Sequence, residues 1–463
     1  MVHLLHFHSK YMKKIKCFSL VFILLFGLSI QAQTKTWTLE ECIKYAIDNN
    51  ITIKQTELDS KNADIDKKGA IGNFIPSLNS NISHTWNVGL NQDITTGLLR
   101  NQTTQFSSFG AGVNFDIYKG MQNQNTLRKA NLSIIAAKYQ ITKMQEDVAL
   151  NVANAFLQVL FNKENLKVQQ DQKAINEKQL TRSEELVKAG SVPRGDLLDI
   201  KATVASDNQK VIAAENSLLI SKLSLAQLLQ LKEFYDFDVT DDTTAKDENN
   251  ILAQTPVAIY DKAKEQRTEL KIAKTNLEIA EKNVAIAKGG FQPIVQGFYN
   301  LGTRISYADK YDYQTGTTVP PAPFGKQFND NKGQNFGAQL YIPIFSGFST
   351  RNNVERSKVS LEKSKIAFEQ EELTLQRNVY TAFTDAKGGL NAYESALVAE
   401  VARQEAYNYA KEKYAVGMMN SFDFNQSQTL LSAAQSEVLR TKYDYIFKIK
   451  ILEFYFGIPI IKQ

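Results

Sequence analysis

Four stretches of the chain alternate between apolar and small polar residues. In the first, Leu78, Ser80, Ile82, His84, Trp86, Val88 and Leu90 share one face; Asn79, Asn81, Ser83, Thr85, Asn87 and Gly89 share the other. Phe109, Ala111, Val113, Phe115 and Ile117 alternate with Ser108, Gly110, Gly112, Asn114 and Asp116. Later, Val295, Tyr299, Leu301, Ile305 and Tyr307 oppose Gln296, Asn300, Gly302, Arg304 and Ser306. Finally, Phe336, Ala338, Leu340, Ile342 and Ile344 oppose Asn335, Gly337, Gln339 and Tyr341. Successive side chains of a strand point to opposite faces, so the pattern predicts strands at about 77–90, 105–118, 294–307 and 334–345.

Two other stretches have the helical period. Residues 121–189 and 348–416 contain no proline and almost no glycine, and Val148, Val152, Phe156, Val159 and Leu160 fall at helical spacing. Each would be about 100 Å long as a helix. Helices of that length do not collapse into a globule. They need neighbours along their whole length, as in a coiled coil or a helical barrel.

The chain is also two copies of one unit. Ala46, Ile53, Ala63, Phe74 and Pro76 align with Ala263, Leu270, Ala280, Phe291 and Pro293 at one constant offset. Gly120, Asn125, Asn151, Ala155, Phe156, Gly190 and Asp196 align with Gly347, Asn352, Asn378, Ala382, Phe383, Gly417 and Asp423 at a second. A single insertion between Pro293 and Gly347 reconciles the two. The organisation expected is a first repeat at 33–230, an acidic linker at 231–256 and a second repeat at 257–463. The linker carries Asp236, Asp238, Asp241, Asp242, Asp247 and Glu248.

The alternating segments suit either a transmembrane barrel with a wet interior or a soluble sheet packed on one face. The N-terminus favours the barrel. Lys13, Lys14 and Lys16 precede an apolar run from Phe18 to Ile30, and Ala32 precedes Gln33 as a cleavage point. This is the pattern of a secretory signal peptide at 1–32, with 1–11 an overlong start before Met12. A permanent anchor or a lipidated Cys17 fits less well, because the run is short and Cys17 precedes it. An exported chain without an apolar helical span, but with four amphipathic strands, points to a barrel. Four strands cannot close, and lipid forbids an open sheet edge. Several chains must therefore share one barrel. Two chains would give eight strands, whose lumen side chains fill; three would give twelve and leave a passage.

Composition removes most rivals. Of four histidines, only His84 lies beyond the signal, and of two cysteines, only Cys42. Triad chemistry, histidine-rich metal sites and an internal disulfide have almost no material. No cofactor, no metal and no enzymatic activity are expected. Net charge is +5, and the N-terminal lysines account for most of it, so no nucleic-acid surface is expected. GAGVNF at 110–115 touches a phosphate-loop pattern but lies in a strand and lacks the lysine.

These features together resemble the TolC-type outer membrane efflux proteins. The resemblance rests on TWTLEECIKYAIDNN at 36–50, GFQP at 290–293, Gly120 and Gly347 before the long helices, and KYAVGMMNSFDF at 413–424, with a weaker KAGSVPRGD at 188–196. It implies a mainly α fold with a small β part: a duplicated unit of long antiparallel helices forming an α-barrel, plus four transmembrane strands per chain. A homotrimer would complete a 12-stranded barrel in the lipid bilayer of the outer membrane and reach into the periplasm. The linker at 231–256 would belong to an equatorial belt. The implied function is an exit duct of a tripartite efflux or type I secretion system. The implied partners are a periplasmic adaptor (membrane fusion protein) and an inner-membrane pump of RND, ABC or MFS type. A periplasmic coiled-coil adaptor is the alternative, although no lipoyl-like domain or inner-membrane anchor is visible.

The resemblance also assigns sites. Asp423 matches an acidic position at the periplasmic constriction, and Asp196 and Tyr414 match positions linking neighbouring hairpins. The tip turns Gly190, Ser191, Val192 and Gly417, Met418, Met419 would receive the adaptor. Each glycine also has a plain structural role after a long helix, and Asp423 could simply cap the returning one. The chain departs from the family pattern at two places: Gln426 replaces a second acid, and Met419 stands where an arginine would lock the closed state. Trp86, Tyr299 and Tyr307 suit an interfacial aromatic girdle. Residues 308–333, with VPPAP at 319–323, suit a long external loop, and 91–104 a shorter one.

Overall fold

The computed structural model describes residues 36–92, 97–232, 237–241, 250–312 and 314–460. The proposed signal segment, Asp236, Asp242, Asp247 and Glu248 lie outside the described residues. In chain order the first repeat gives β1 (Thr36–Trp37), α1 (Leu39–Asn49), α2 (Ile51–Gly72), β2 (Ser77–Gln92), β3 (Leu99–Lys119), α3 (Gln122–Lys188) and α4 (Arg194–Leu229). After β4 (Asp238–Val239), the second gives α5 (Pro256–Gln266), α6 (Thr268–Gly289), β5 (Ile294–Ser306), β6 (Lys310–Asp312), β7 (Thr317–Val319), α7 (Phe324–Asp330), β8 (Gly333–Tyr341), α8 (Ser349–Ala415) and α9 (Ser421–Tyr455).

Local chemistry starts and stops these elements. Thr38 and Glu41 form a reciprocal capping box that opens α1. Asn50 ends α1 and caps α2, accepting from the Thr52 and Ile53 amides. The matching joint in the second repeat is Arg267, between α5 and α6. Both long helices have 67 residues and begin after two successive left-handed residues, Gly120–Met121 and Gly347–Phe348. These double turns swing the chain from strand to helix. At the first of them, the backbone of Gly120 lies against that of Gly289, and neither position has room for a Cβ.

The long helices pack in antiparallel pairs, α3 with α4 and α8 with α9, and α3 meets α9 where the two repeats join. Their shared apolar material concentrates at one level. There Val152, Phe156, Val159 and Leu160 of α3 pack with Ile43 and Ala46 of α1, Leu225 and Leu229 of α4, and Val239 of β4. The linker is pinned to this level. β1 pairs parallel with β4, and Lys163 donates to the Asp238 carboxylate at 2.8 Å and to the Val239 carbonyl at 2.9 Å. Lys222 adds an ion pair at 3.0 Å, and Tyr443 donates to Asp241 at 2.9 Å. Burial pushes the Asp238 carboxyl up, but the two lysines outweigh it and hold the group below the ordinary range. The described acids of the linker are thus paired rather than free to collect a cation.

At the opposite end from the hairpin tips is a four-stranded antiparallel sheet in the order β2-β3-β5-β8. Its register aligns the apolar faces across all four strands: Leu78 opposes Val113, Val113 opposes Tyr299, and Tyr299 opposes Phe336. Leu78, Ile82, Trp86, Phe336 and Leu340 on that face are exposed in the single chain. β2 and β8 are the unpaired edges. Two details correct the alternation. A bulge between Asp116 and Tyr118 leaves Ile117 unpaired, so Tyr118 rather than Ile117 continues the apolar face opposite Val295. β8 ends at Tyr341 rather than at 345, so Ile342 and Ile344 lie beyond it. Pro343 has no N–H for a ladder. Among the described residues no helix is long and apolar enough to cross a membrane.

Candidate functional site: the hairpin tips

Each long helix ends in a glycine with a left-handed backbone. After α3, the Gly190 amide bonds the Val187 carbonyl at 3.0 Å and the Ser191 amide bonds Leu186 at 2.9 Å. After α8, Gly417 bonds Tyr414 at 3.2 Å and Met418 bonds Lys413 at 2.8 Å. Both are Schellman closures, which satisfy the last carbonyls of a helix in two residues and let the chain reverse. Gly190 (φ +73°) and Gly417 (φ +77°) supply the conformation that other residues adopt at a cost. Pro193 precedes α4, and Asn420 caps α9.

The second tip is the more elaborate. The Asn420 side chain accepts from the Asp423 amide at 2.8 Å and donates to the Asp423 carboxylate at 3.0 Å. Asp423 is exposed in the first turn of α9, where a negative charge also favours the helix dipole. Behind it, Phe424 stacks on Tyr414 with centroids 4.7 Å apart, and on Tyr407 at 5.8 Å. The Tyr414 hydroxyl accepts from Gln179 Nε2 at 2.7 Å, which ties the second hairpin to helix α3 of the first. Met419 packs on this cluster, whereas Met418, Val416 and Phe422 are exposed.

The sites expected from the sequence therefore separate. Tyr414 meets Gln179 of the other hairpin within the same chain. Asp196 is half-buried in the first turn of α4, with its amide bonded to the Pro193 carbonyl. Ser191 is exposed and Val192 half-buried on the first turn. Gln179, Phe424 and the exposed Val416 and Phe422 escaped the sequence reading. An unbroken helical run gives no sign of which glutamine crosses to the next hairpin. Above the tip, α3, α8 and α9 line an open groove of about 770 Å³. Into it faces Gln428, buried, with neither amide atom hydrogen-bonded in the single chain. The seam between the hairpins is polar at this level, where Asn165 and Gln169 on α3 meet Ser436 on α9.

The family model for outer membrane efflux proteins matches residues 42–230 and 259–450, one match for each repeat. The chain belongs to this family. It is similar to outer membrane protein TolC of Vibrio cholerae, at 24% identity over 346 residues, covering 73% of this chain and 74% of the relative. In fold it is similar to a membrane protein of Pseudomonas aeruginosa, with TM-score 0.76, 16% identity and 90% of each chain covered. The CmeC outer membrane channel of Campylobacter jejuni matches with TM-score 0.71 and 18% identity, covering 90% of this chain and 85% of that one. The protein is thus an outer-membrane efflux channel of a Gram-negative cell, not an enzyme. The adaptor alternative is set aside. Channels of this family are typically trimeric and work with efflux pumps.

Proposed function

We propose that three copies of this chain close one 12-stranded barrel and stack their long helices into an α-barrel across the periplasm. Through this duct pass substrates delivered by a periplasmic adaptor and an inner-membrane pump of RND, ABC or MFS type. The observation that carries the reading is the sheet. It has apolar side chains exposed on one face and two unpaired edges, β2 and β8, which a membrane tolerates only if neighbouring copies pair them. Native mass spectrometry of protein extracted in detergent from outer membranes is expected to give a trimer. A monomer that stays in solution without detergent would overturn the shared barrel.

The second tip is the gate in this reading, with Asp423 lining the constriction and Tyr414 and Asp196 near the hairpin contacts. The adaptor lands on Gly190, Ser191 and Val192 and on Gly417, Met418 and Met419. Exposed Val416 and Phe422 give it apolar contact, and the adaptor opens the tips by binding the open arrangement more tightly. Three exposed Asp423 carboxylates near one axis favour cations. Asp423→Asn keeps a partner for Asn420 and removes only the charge. It is expected to lower cation-over-anion permeability about fivefold, the equivalent of about 1 kcal/mol on a passing ion. The reversal potential across a salt gradient in a planar bilayer measures this, and an unchanged potential would remove Asp423 from the constriction.

A further inference from the structure

The edges of the sheet are unequal. β2 has 16 residues and β8 has nine, so β8 leaves seven residues of a neighbour's β2 edge without a strand beside them. Within the chain, helix α7 has already solved the same problem for β5. Alternate residues of β5 turn their backbone groups toward β8, and Gly302 is the last to find it, opposite Gly333. Beyond it, Asn331 Nδ2 donates to the Arg304 carbonyl at 2.6 Å. Gln327 then accepts from the Ser306 amide and donates to the Ser306 carbonyl, both at 3.0 Å. Thr303 Oγ1 donates to the Phe328 carbonyl at 3.0 Å, and Phe324 and Phe328 lie against Phe109. The side chains of one short helix and its last turn thus continue the ladder that β8 abandons.

We infer that α7 of each subunit also seals the outer rim of the barrel against the next subunit's β2, beside Val88 and Leu90. The inference rests on the shared barrel proposed above. Asn81, Gly110, Gly302 and Gly333 lie in one row across the sheet. Barrel strands tilt by about 35–45°, which staggers the row by roughly 4 to 6 residues over four strands. The stagger runs outward, because an inward one would set β8 beside Pro76 and helix α2, which have no strand edge. Gly333 then comes beside Thr85 to Asn87 of the next copy. The edge from Val88 to Gln92 stands beyond it, at the level of α7. Val88 and Leu90 are exposed apolar residues in the single chain, and on α7 Lys326 and Asn329 are exposed and Phe324 is half exposed. The occupant of that edge is therefore a second copy of this chain, presenting a helix rather than a strand.

Leu90→Cys and Asn329→Cys in a Cys42→Ala background, treated with a short bis-maleimide on outer membranes, test the contact. A covalent trimer on denaturing gels is expected. A native trimer with no cross-link would overturn the rim contact and leave the shared barrel intact, whereas a native monomer would sink both. A second measurement covers a variant that folds poorly. With Leu90→Cys alone, a bulky maleimide is expected to react at least tenfold faster once residues 324–331 are replaced by a glycine-serine segment of equal length. Equal rates in the two trimers would also overturn the contact.

Discussion

Gly120→Ala is expected to cost the folded subunit about 3 kcal/mol or more, while the same change at its repeat mate Gly347 costs about half as much. Both glycines have a left-handed backbone, at φ +56° and +58°, where an L residue loses about 1–2 kcal/mol. Their surroundings differ. A Cβ on Gly120 would press into the Gly289 carbonyl oxygen, far inside van der Waals contact, whereas a Cβ on Gly347 meets open space. A backbone oxygen cannot rotate away as a side chain can, so overpacking adds about 1–3 kcal/mol at the first site only. The contact joins the end of β3 to the end of α6, where the barrel hands over to the helices. The thermal midpoints of the two variants in detergent, compared with wild type, measure the difference. Equal midpoints for the two would show that the Gly120–Gly289 approach relaxes freely.

Much of this architecture was legible in the sequence because it rests on periodicity and repetition. A period of two over ten or more residues can satisfy only a strand, and the observed register puts Leu78, Val113, Tyr299 and Phe336 on one face as the alternation requires. Proline-free runs marked both long helices, and the repeat fixed the glycines that end them. Other features depend on contacts between distant segments. The bulge at Ile117 arises from how β3 must meet β5, and neither strand signals it alone. Gln179 looks like any solvent-facing residue of α3 until Tyr414 arrives beside it. Helix α7 lies in a stretch read as an external loop, since seven residues are too few to show a helical period. At the tips, the glycines could be found from the repeat, but Phe422 and Phe424 could not be told apart. One is exposed and the other buried only because of where α9 turns toward α8.

Arg267 is the residue whose loss should do the most harm, and it too has no signature in the sequence. It is 4% exposed and holds Glu269 through two hydrogen bonds, at 2.8 and 3.1 Å, and Glu146 of α3 through a third at 3.0 Å. Its guanidinium lies 3.8 Å from the ring centre of Phe454 on α9. One cation thus ties the α5–α6 joint to a long helix of the other repeat and to the last helix of the chain. Removing it would leave two half-buried carboxylates without a bonded cation, the nearby Lys143 being held by Asp147 at 2.6 Å, a loss of about 3–5 kcal/mol. Arg267→Ala should therefore lower the thermal midpoint in detergent more than Gly120→Ala does. The pH dependence gives the cause. In the wild type, burial pushes the Glu269 carboxyl up, but Arg267 outweighs it and holds the group below its ordinary value. That contribution is full above the unfolded pKa and fades as pH falls through the folded one. At Glu146, burial prevails over Arg267 and the group sits above its ordinary value. Without Arg267 both carboxyls rise, so their penalty grows as pH rises through the raised values and disappears when they are protonated. The gap between variant and wild type should be wide at pH 8 and narrow toward pH 5. A gap of equal width at both would mean that the loss comes from packing on Phe454 and not from stranded charge.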